Sequence, residues 1–496
     1  DEFEINVSLA GSTSSTTGFT IRPYTVTTGI SMAHFESDIE GGVVMNNTGM
    51  GKTFLFALDL RDVLMRNFIN SDLNAGRSYS NGFEPTTDSF IFFITNIIQE
   101  HIPHLPRVHT CPECESSVVM ITHDVDSRTA MDTMAAFIDY EEEYQINAMY
   151  NITTRLYNDD WMSDFYIGSY EKVEYAKLHG QRLASHSLGH FPDFANATLF
   201  PLGSVGNTPV NYMPLYTNDT TIGGSVFGEA EVSKYLLEND HNVQVKSFRA
   251  GHLAYNPRLP RALYDLGYLY NSTFSANDVL TNFPFYNIDN LSFSGDEVPV
   301  LEIPMTISDA AACCPFTQEN AIERAALWAE ITIKNNNNGA PTVLLIHPNR
   351  NYKLTAEQYY VNALPDDVKF MFLDDFGDYW KKREMANVTS EYRNDSLLVY
   401  FNGFQLLTNL SLVVDHINEL AGIKFFDAQG WELFPETRNV AYNETRFCHF
   451  VYSNNIEVCN GLDDDGDGMV DENLAYTQYR DLDQDGYGDG SESISA

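Results

Sequence analysis

Two short stretches carry the residue types that hold and use a divalent metal. Ile121-Thr122-His123-Asp124-Val125-Asp126 sets two carboxylates at the end of an apolar run. His186-Ser187-Leu188-Gly189-His190 follows the short run Arg182–Ser185, and one helical turn there would aim both imidazoles the same way. Two histidines and one aspartate are the protein ligands of a catalytic divalent cation that keeps a position open for water. A lone histidine is more often a core or surface residue and Asp-x-Asp more often a cap or loop, so the combination carries the weight.

The C-terminal segment makes a separate metal argument. Asp463, Asp465, Asp467 and Asp471 surround Gly468, and Asp481, Asp483, Asp485 and Asp489 surround Gly486. Oxygen ligands at alternate positions around a tight turn are what calcium demands. Asp481 to Glu492 fits a twelve-residue EF-hand loop, but only four residues follow Glu492, too few for an exiting helix. The repeats resemble the Asp-rich calcium repeats of secreted surface proteins, in the style of thrombospondin type-3 repeats. The plain alternative is an acidic solubilising tail. Gly49–Thr53 (GMGKT) lacks the first glycine of a phosphate loop and precedes a strand where that loop needs a helix.

Alternating elements must position the first set. Strands are predicted at 117–122, 148–153, 182–185, 298–302 and 341–347, and helices at 128–144, 170–178, 260–266 and 320–334. Such alternation predicts a parallel β/α barrel over 115–385 with its functional residues at the C-terminal strand ends. Residues 1–110 read as a small α/β domain, with a hairpin around 43–60 and helices at 59–69 and 90–101. It resembles the tail of glutamine-amidotransferase-like, flavodoxin-type domains. Short alternating strands at 397–401, 410–414 and 423–426 predict a β-sandwich-like accessory module over 390–455, followed by the Asp-rich repeats over 456–496.

Composition narrows the class. The 496 residues carry 69 Asp+Glu against 29 Lys+Arg, a formal net charge of −40, which repels nucleic acid and mildly disfavours polyanionic glycans. No stretch approaches the roughly 18 uninterrupted apolar residues of a membrane span, and Asp1-Glu2-Phe3-Glu4 does not read as the start of a signal peptide. Six cysteines lie as Cys111/Cys114, Cys313/Cys314 and Cys448/Cys459, free to pair locally or across. Eleven Asn-x-Ser/Thr sequons between Asn6 and Asn443 point to an exposed surface outside the cytosol, with N-glycans.

The first two motifs, in this order, resemble the polysaccharide deacetylases, the NodB-type carbohydrate esterases. The resemblance places the catalytic base at Asp124 and metal ligands at Asp126, His186 and His190. Two further family motifs match Phe248-Arg249-Ala250-Gly251-His252 and Leu344-Leu345-Ile346-His347. They imply that Arg249 orients Asp124 and that His347 protonates the leaving group. The sequence departs from the family at three places. Val125 separates the two aspartates, Gly251 stands where proline is usual, and Asp-x-x-Asp-Trp is absent, with Leu301-Glu302-Ile303-Pro304-Met305 in its place.

The expectation is a secreted or cell-surface α/β multidomain protein with a central distorted (β/α) barrel of the polysaccharide deacetylase type. The barrel would use Zn2+ or another divalent transition metal, with Ca2+ in the tail, to remove N- or O-acetyl groups from an acetylated polysaccharide. The alternative is a catalytically silent structural or carbohydrate-binding surface protein, with self-assembly contacts and calcium stiffening.

Overall fold

The run Ser117–Val125 is buried along its whole length, which a strand manages when it has neighbours on both sides and cover on both faces. It is β1 of a parallel set continued by β2 (Ala148–Ile152), β3 (Arg182–Ser185), β4 (Ser247–Phe248), β5 (Tyr270–Asn271), β6 (Glu297–Glu302), β7 (Ile307–Ser308) and β8 (Thr342–Ile346). The hydrogen-bonded order is β6-β5-β4-β3-β2-β1-β8-β7. Its two ends, β6 and β7, are consecutive in the chain, and a parallel bridge from Ser275 to Met305 lies between them. The sheet is therefore a nearly closed barrel. Phe285–Ile288 adds an antiparallel strand to β6, and Val368–Phe370 adds a parallel one to β1.

The computed structural model describes residues 24–25, 28–34, 40–49, 51–57, 86–102, 104–158, 165–279, 281–292, 294–310, 315–402, 409–440, 444–452, 477–479 and 493–495. Two compact units divide the chain: Asp1–Asn96 with Glu115–Trp380, and Ile97–Cys114 with Lys381–Ala496.

In the first unit the barrel helices are α1 (Arg128–Glu143), α2 (Tyr170–Leu178), α3 (Val226–His241), α4 (Leu259–Asp265), α5 (Ala321–Asn337), α6 (Asn351–Ala363) and α7 (Leu373–Met385), the last of which runs past the unit's end. Serine caps start two of them. Ser127 Oγ accepts from Ala130 N–H at 3.2 Å and Ser225 Oγ from Gly228 N–H at 3.0 Å, each cap contributing about 1 kcal/mol. α2 ends before Gly180, whose φ of +81° suits glycine. Helices α3, α6 and α7 have no counterpart among the sequence predictions. In α3, Val226, Phe227, Gly228, Glu229 and Ala230 are all buried, so its start carries no amphipathic stripe. Strands β4 and β5 span two residues each, too short for any periodicity to register.

Also in this unit, 24–25, 30–34, 40–48 and 51–56 pair antiparallel. The expected hairpin is there: Thr48 pairs with Gly51 across the antiparallel ladder, which is not the strand-to-helix passage of a phosphate loop. The antiparallel pairing differs from the parallel sheet of a flavodoxin-type domain. The helix predicted over 59–69 lies outside the described residues.

The second unit holds one continuous mixed sheet of seven strands, in the order Val388–Arg393, Ser396–Phe401, Gly422–Phe426, Glu432–Asn439, Glu444–Tyr452, Leu412–Asp415, Arg107–Val108. The expected sandwich-like module is this single sheet, with an edge strand that precedes the barrel in sequence. Leu397, Val399, Phe401, Phe425, Leu433 and Phe447 make its core. Cys114 is disulfide-bonded to Cys448, 334 residues away, so this pairing runs across the chain. Cys313, Cys314 and Cys459 lie outside the described residues.

Candidate active site

Register brings the acidic end of β1 against its neighbours. Asp124 is paired with Asn151 on β2, and Asn151 Nδ2 donates to Asp124 Oδ1 at 2.7 Å. From the end of β4, Arg249 Nη1 donates to the same oxygen at 3.0 Å and to Thr122 Oγ1 at 2.8 Å. The guanidinium is held in turn by Ser272, through its carbonyl and its hydroxyl, both at 2.9 Å. Burial alone would raise the Asp124 pKa, but His186, Arg249 and His347 together hold it well below the usual carboxylate range. Asp124 is thus ionised, with Oδ1 fixed and Oδ2 facing His186 Nε2 at 3.6 Å.

The two histidines reach the site by a route other than a helical turn. Ser187 and His190 adopt left-handed backbone, with φ of 64° and 56°, conformations that cost non-glycine residues and cluster at functional sites. The loop is pinned from α3, where Glu229 accepts Leu188 N–H on its carbonyl at 3.1 Å and Gly189 N–H on its carboxylate at 2.8 Å. A Cβ on Gly189 would meet the Phe191 ring at 2.1 Å, and one on Gly251 would meet the His190 ring at 2.6 Å. Glycine at 251, where the related motif has proline, makes room for an imidazole.

Ligand atoms from Asp126, His186 and His190 all lie within 4.8 Å of one another, and His190 Nε2 is 3.5 Å from Asp126 Oδ2, a separation that two bonds of about 2.0–2.2 Å to one cation give. His186 Nδ1 is directed at the Arg249 carbonyl at 3.0 Å, which puts the proton there and leaves Nε2 with its lone pair. Burial pushes the pKa of both His186 and His190 down. Neutral imidazoles beside a carboxylate are the protonation state that a divalent cation requires, so the donor set fits one.

Across Asp126 lies His347, with Nε2 at 3.6 Å from Asp126 Oδ2. Its Nδ1 is bonded to Asp309 Oδ1 at 2.6 Å, and its backbone N–H donates to Asp309 Oδ2 at 2.9 Å. Lys353 Nζ closes the chain at 2.6 Å from Asp309 Oδ2. Burial would lower the His347 pKa, but Asp309, with Asp126 and Asp124 adding to it, carries it up to about 9. Asp309 is held down to about 2, its own burial outweighed by His347 and Lys353.

A cleft of about 740 Å³ opens over Asp126, His190, His252 and His347, flanked by Tyr157 and Phe316. All six candidates for catalysis and metal binding, Asp124, Asp126, His186, His190, Arg249 and His347, therefore converge on one place. The candidate calcium ligands Asp463 to Asp489 lie outside the described residues. Sequence reasoning missed Asp309, Lys353, Asn151 and Ser272. Only Asp309 left a signal, a carboxylate directly after the short strand β7. Glu302, in the segment standing for the absent motif, bonds Tyr255, Asn271 and Asn287 and supports neither Arg249 nor His347. Tyr255 is buried and stacked on Phe274 at 3.8 Å, so it packs and does not face the cleft. Two sequon asparagines, Asn151 and Asn271, are buried with hydrogen-bonded side chains, which removes them as glycan acceptors.

No protein-family model matches the chain, and no curated protein matches it in sequence. Among solved structures, a protein from Mycobacterium smegmatis described as a candidate polysaccharide deacetylase is similar at 16% identity and a TM-score of 0.40, over 55% of this chain and 93% of that one. A family 4 carbohydrate esterase from Streptomyces lividans, solved with acetate, aligns at 9% identity and 0.30, over 51% and 92%. A family 4 pseudoenzyme from Bacillus anthracis aligns at 11% and 0.31, over 53% and 66%. Likeness at this level carries no argument about chemistry, which rests on the side chains themselves.

Proposed function

We propose that the barrel is a metal-dependent hydrolase that removes acetyl groups from a polysaccharide. The observation that carries this reading is the joint placement of Asp126, His186 and His190 between an ionised Asp124 and a protonated His347. Asp126, His186 and His190 would hold the cation. When bound, a divalent transition metal supplies a water nucleophile at neutral pH and polarises an acyl carbonyl.

The chain's own residues supply the proton movements. Asp124 Oδ2 accepts the proton that water loses as its oxygen bonds to the acetyl carbon, while Arg249 and Asn151 keep Oδ1 from turning. The bond from that carbon to the sugar nitrogen or oxygen then breaks. His347 Nε2 gives its proton to that departing atom, so acetate and a free amine or hydroxyl leave. Asp309 keeps His347 charged before the step and fixes its ring.

We also infer secretion or surface display, supported by exposed sequon asparagines such as Asn196, Asn218 and Asn394, and calcium binding by the Asp-rich repeats. Elemental analysis after exchange into calcium-free buffer tests the central claim. About one transition-metal ion per chain, lost in the variant with His186→Ala and His190→Ala together, and acetate release from acetylated glycans are expected. Failure to take up zinc when it is offered sinks the hydrolase reading and leaves a silent surface protein.

A further inference from the structure

Directly before Asp124, the side chain of His123 enters the core. Its imidazole, Glu141 of α1 and Glu357 of α6 are each fully or almost fully buried, and their ligand-type atoms gather as tightly as those of the metal-binding group. The spacings differ in kind. At the metal group His190 Nε2 stands 3.5 Å from Asp126 Oδ2, room for an ion between them. In the core His123 Nε2 is 2.6 Å from Glu141 Oε1, a charge-assisted hydrogen bond. Two ligands on one cation at about 2.1 Å each would stand further apart.

Each hydrogen-bonding group then has an assignable state. His123 Nδ1 is 3.0 Å from the Ile346 carbonyl and Nε2 faces Glu141. With acceptors at both nitrogens, the ring satisfies them only as imidazolium. Glu141 receives His123 on one oxygen and the Tyr150 hydroxyl, at 2.7 Å, on the other, as an ionised carboxylate does. Glu357 has no hydrogen-bond donor on either oxygen among the described residues, although His123 Nε2 lies 3.7 Å away. Ionised, with no donor on it and the Glu141 carboxylate beside it, it would cost several kcal/mol in this environment, so it carries a proton and shares it with Glu141.

We propose that His123 is a positioning residue, a buried imidazolium held between ionised Glu141 and neutral Glu357, that locks the strand end bearing Asp124 and Asp126 to the strand end bearing His347. The lock is geometric. Nδ1 bonds the carbonyl of Ile346, the residue before His347, while β1 continues from His123 into both aspartates. Its electrostatics agree in direction: burial would lower the His123 pKa, but the charge and hydrogen bond of Glu141 pull it upward, and burial drives that of Glu357 upward. The functional consequence rests on the deacetylase reading, whereas the charge state does not.

Two substitutions separate the roles. Glu357→Gln replaces a neutral carboxyl by a neutral amide and is expected to keep at least about a third of wild-type kcat/KM. Glu141→Gln removes the only charge opposite the ring and is expected to lower kcat tenfold or more with KM little changed, and to weaken zinc affinity by a similar factor. Nitrogen NMR of histidine-labelled, metal-free protein at pH 7.5 reads the ring directly. Both His123 nitrogens should be protonated in wild type and Glu357→Gln, and one of them bare in Glu141→Gln. A neutral His123 in wild type, a Glu357→Gln variant as impaired as Glu141→Gln, or a transition metal retained after His186→Ala and His190→Ala would each overturn the proposal. If wild type releases no acetate, the function fails, and NMR with zinc titration still decides on the lock.

Discussion

Replacing Asp309 by asparagine tests the acid half of the proposed mechanism most sharply. Asp309 keeps the part-buried His347 protonated up to about pH 9, against the downward pull of burial. The amide leaves the shape and removes the largest of the charges that raise it, so burial pulls the pKa of His347 down toward its ordinary value of about 6.5. At pH 8 a ring with a pKa of 9 is ~90% protonated and one of 6.5 is ~3% protonated, so the step drawing on that proton slows up to ~30-fold, or about 2 kcal/mol. A cation on Asp126 cancels that carboxylate's share and sets the wild-type limb below 9, while the contribution of Asp309 persists. The assay is kcat against pH, by acetate release between pH 5.5 and 9.5. The alkaline limb should move down by at least about one unit in Asp309→Asn, and the two enzymes should converge toward pH 5.5. An unmoved limb would refute the assignment of His347 as the acid. The substitution also strands Lys353, whose side chain is 10% exposed, at a cost of about 3–5 kcal/mol. Adding Lys353→Met removes that cost, so loss of fold and loss of proton supply can be told apart.

Gly251→Ala should push on His190, since the new Cβ would lie 2.6 Å from its ring; zinc affinity measured by competition with a chelator should fall about 10–100-fold, and an unchanged affinity would contradict the close approach. Buried Asp88, Glu229 and Glu302 have pKa values raised to about 7, chiefly by burial. Their folded values exceed the unfolded ones, so the protons they hold favour the fold at low pH, and that advantage is lost as pH rises through about 7. His347 and His123, raised to about 9, act in the same direction. Urea unfolding of the metal-free barrel should therefore show it about 2 kcal/mol or more stabler at pH 6.5 than at pH 8.5, and a flat or opposite trend would refute these protonation states. Joint Cys114→Ser and Cys448→Ser substitution should destabilise the seven-stranded unit by about 2–4 kcal/mol, seen as an earlier melting transition with the barrel transition in place.

What could be read from the sequence was local. Ser117–Val125, Arg182–Ser185 and Thr342–Ile346 are largely apolar runs followed directly by Asp126, His186 and His347, and both histidines of one short motif and both aspartates of another declare themselves by spacing. The residues that make these groups work lie elsewhere in the chain. Asn151 is an ordinary sequon asparagine until the pairing of β1 with β2 sets it against Asp124. Asp309 becomes the partner of His347 only because β7 pairs with β8 in a register that places Ser308 beside Leu345. Lys353 and Glu357 come from one helix, α6, whose start and middle serve two different histidines, His347 and His123.

The same logic bounds what charge can say. A net charge of −40 is a property of the surface, and beyond about 8 Å at physiological salt its exposed part is screened. Within the barrel the decisive charges are few, buried or nearly so, and paired: Arg249 with Asp124, Lys353 and His347 with Asp309, His123 with Glu141. Each pair binds a different strand end to the centre. Exchanging Asp309 and Lys353 leaves net charge alone but sets an ammonium beside His347 in place of its carboxylate, so it should impair turnover far more than removing several surface carboxylates, because only the exchange leaves the imidazolium without its partner.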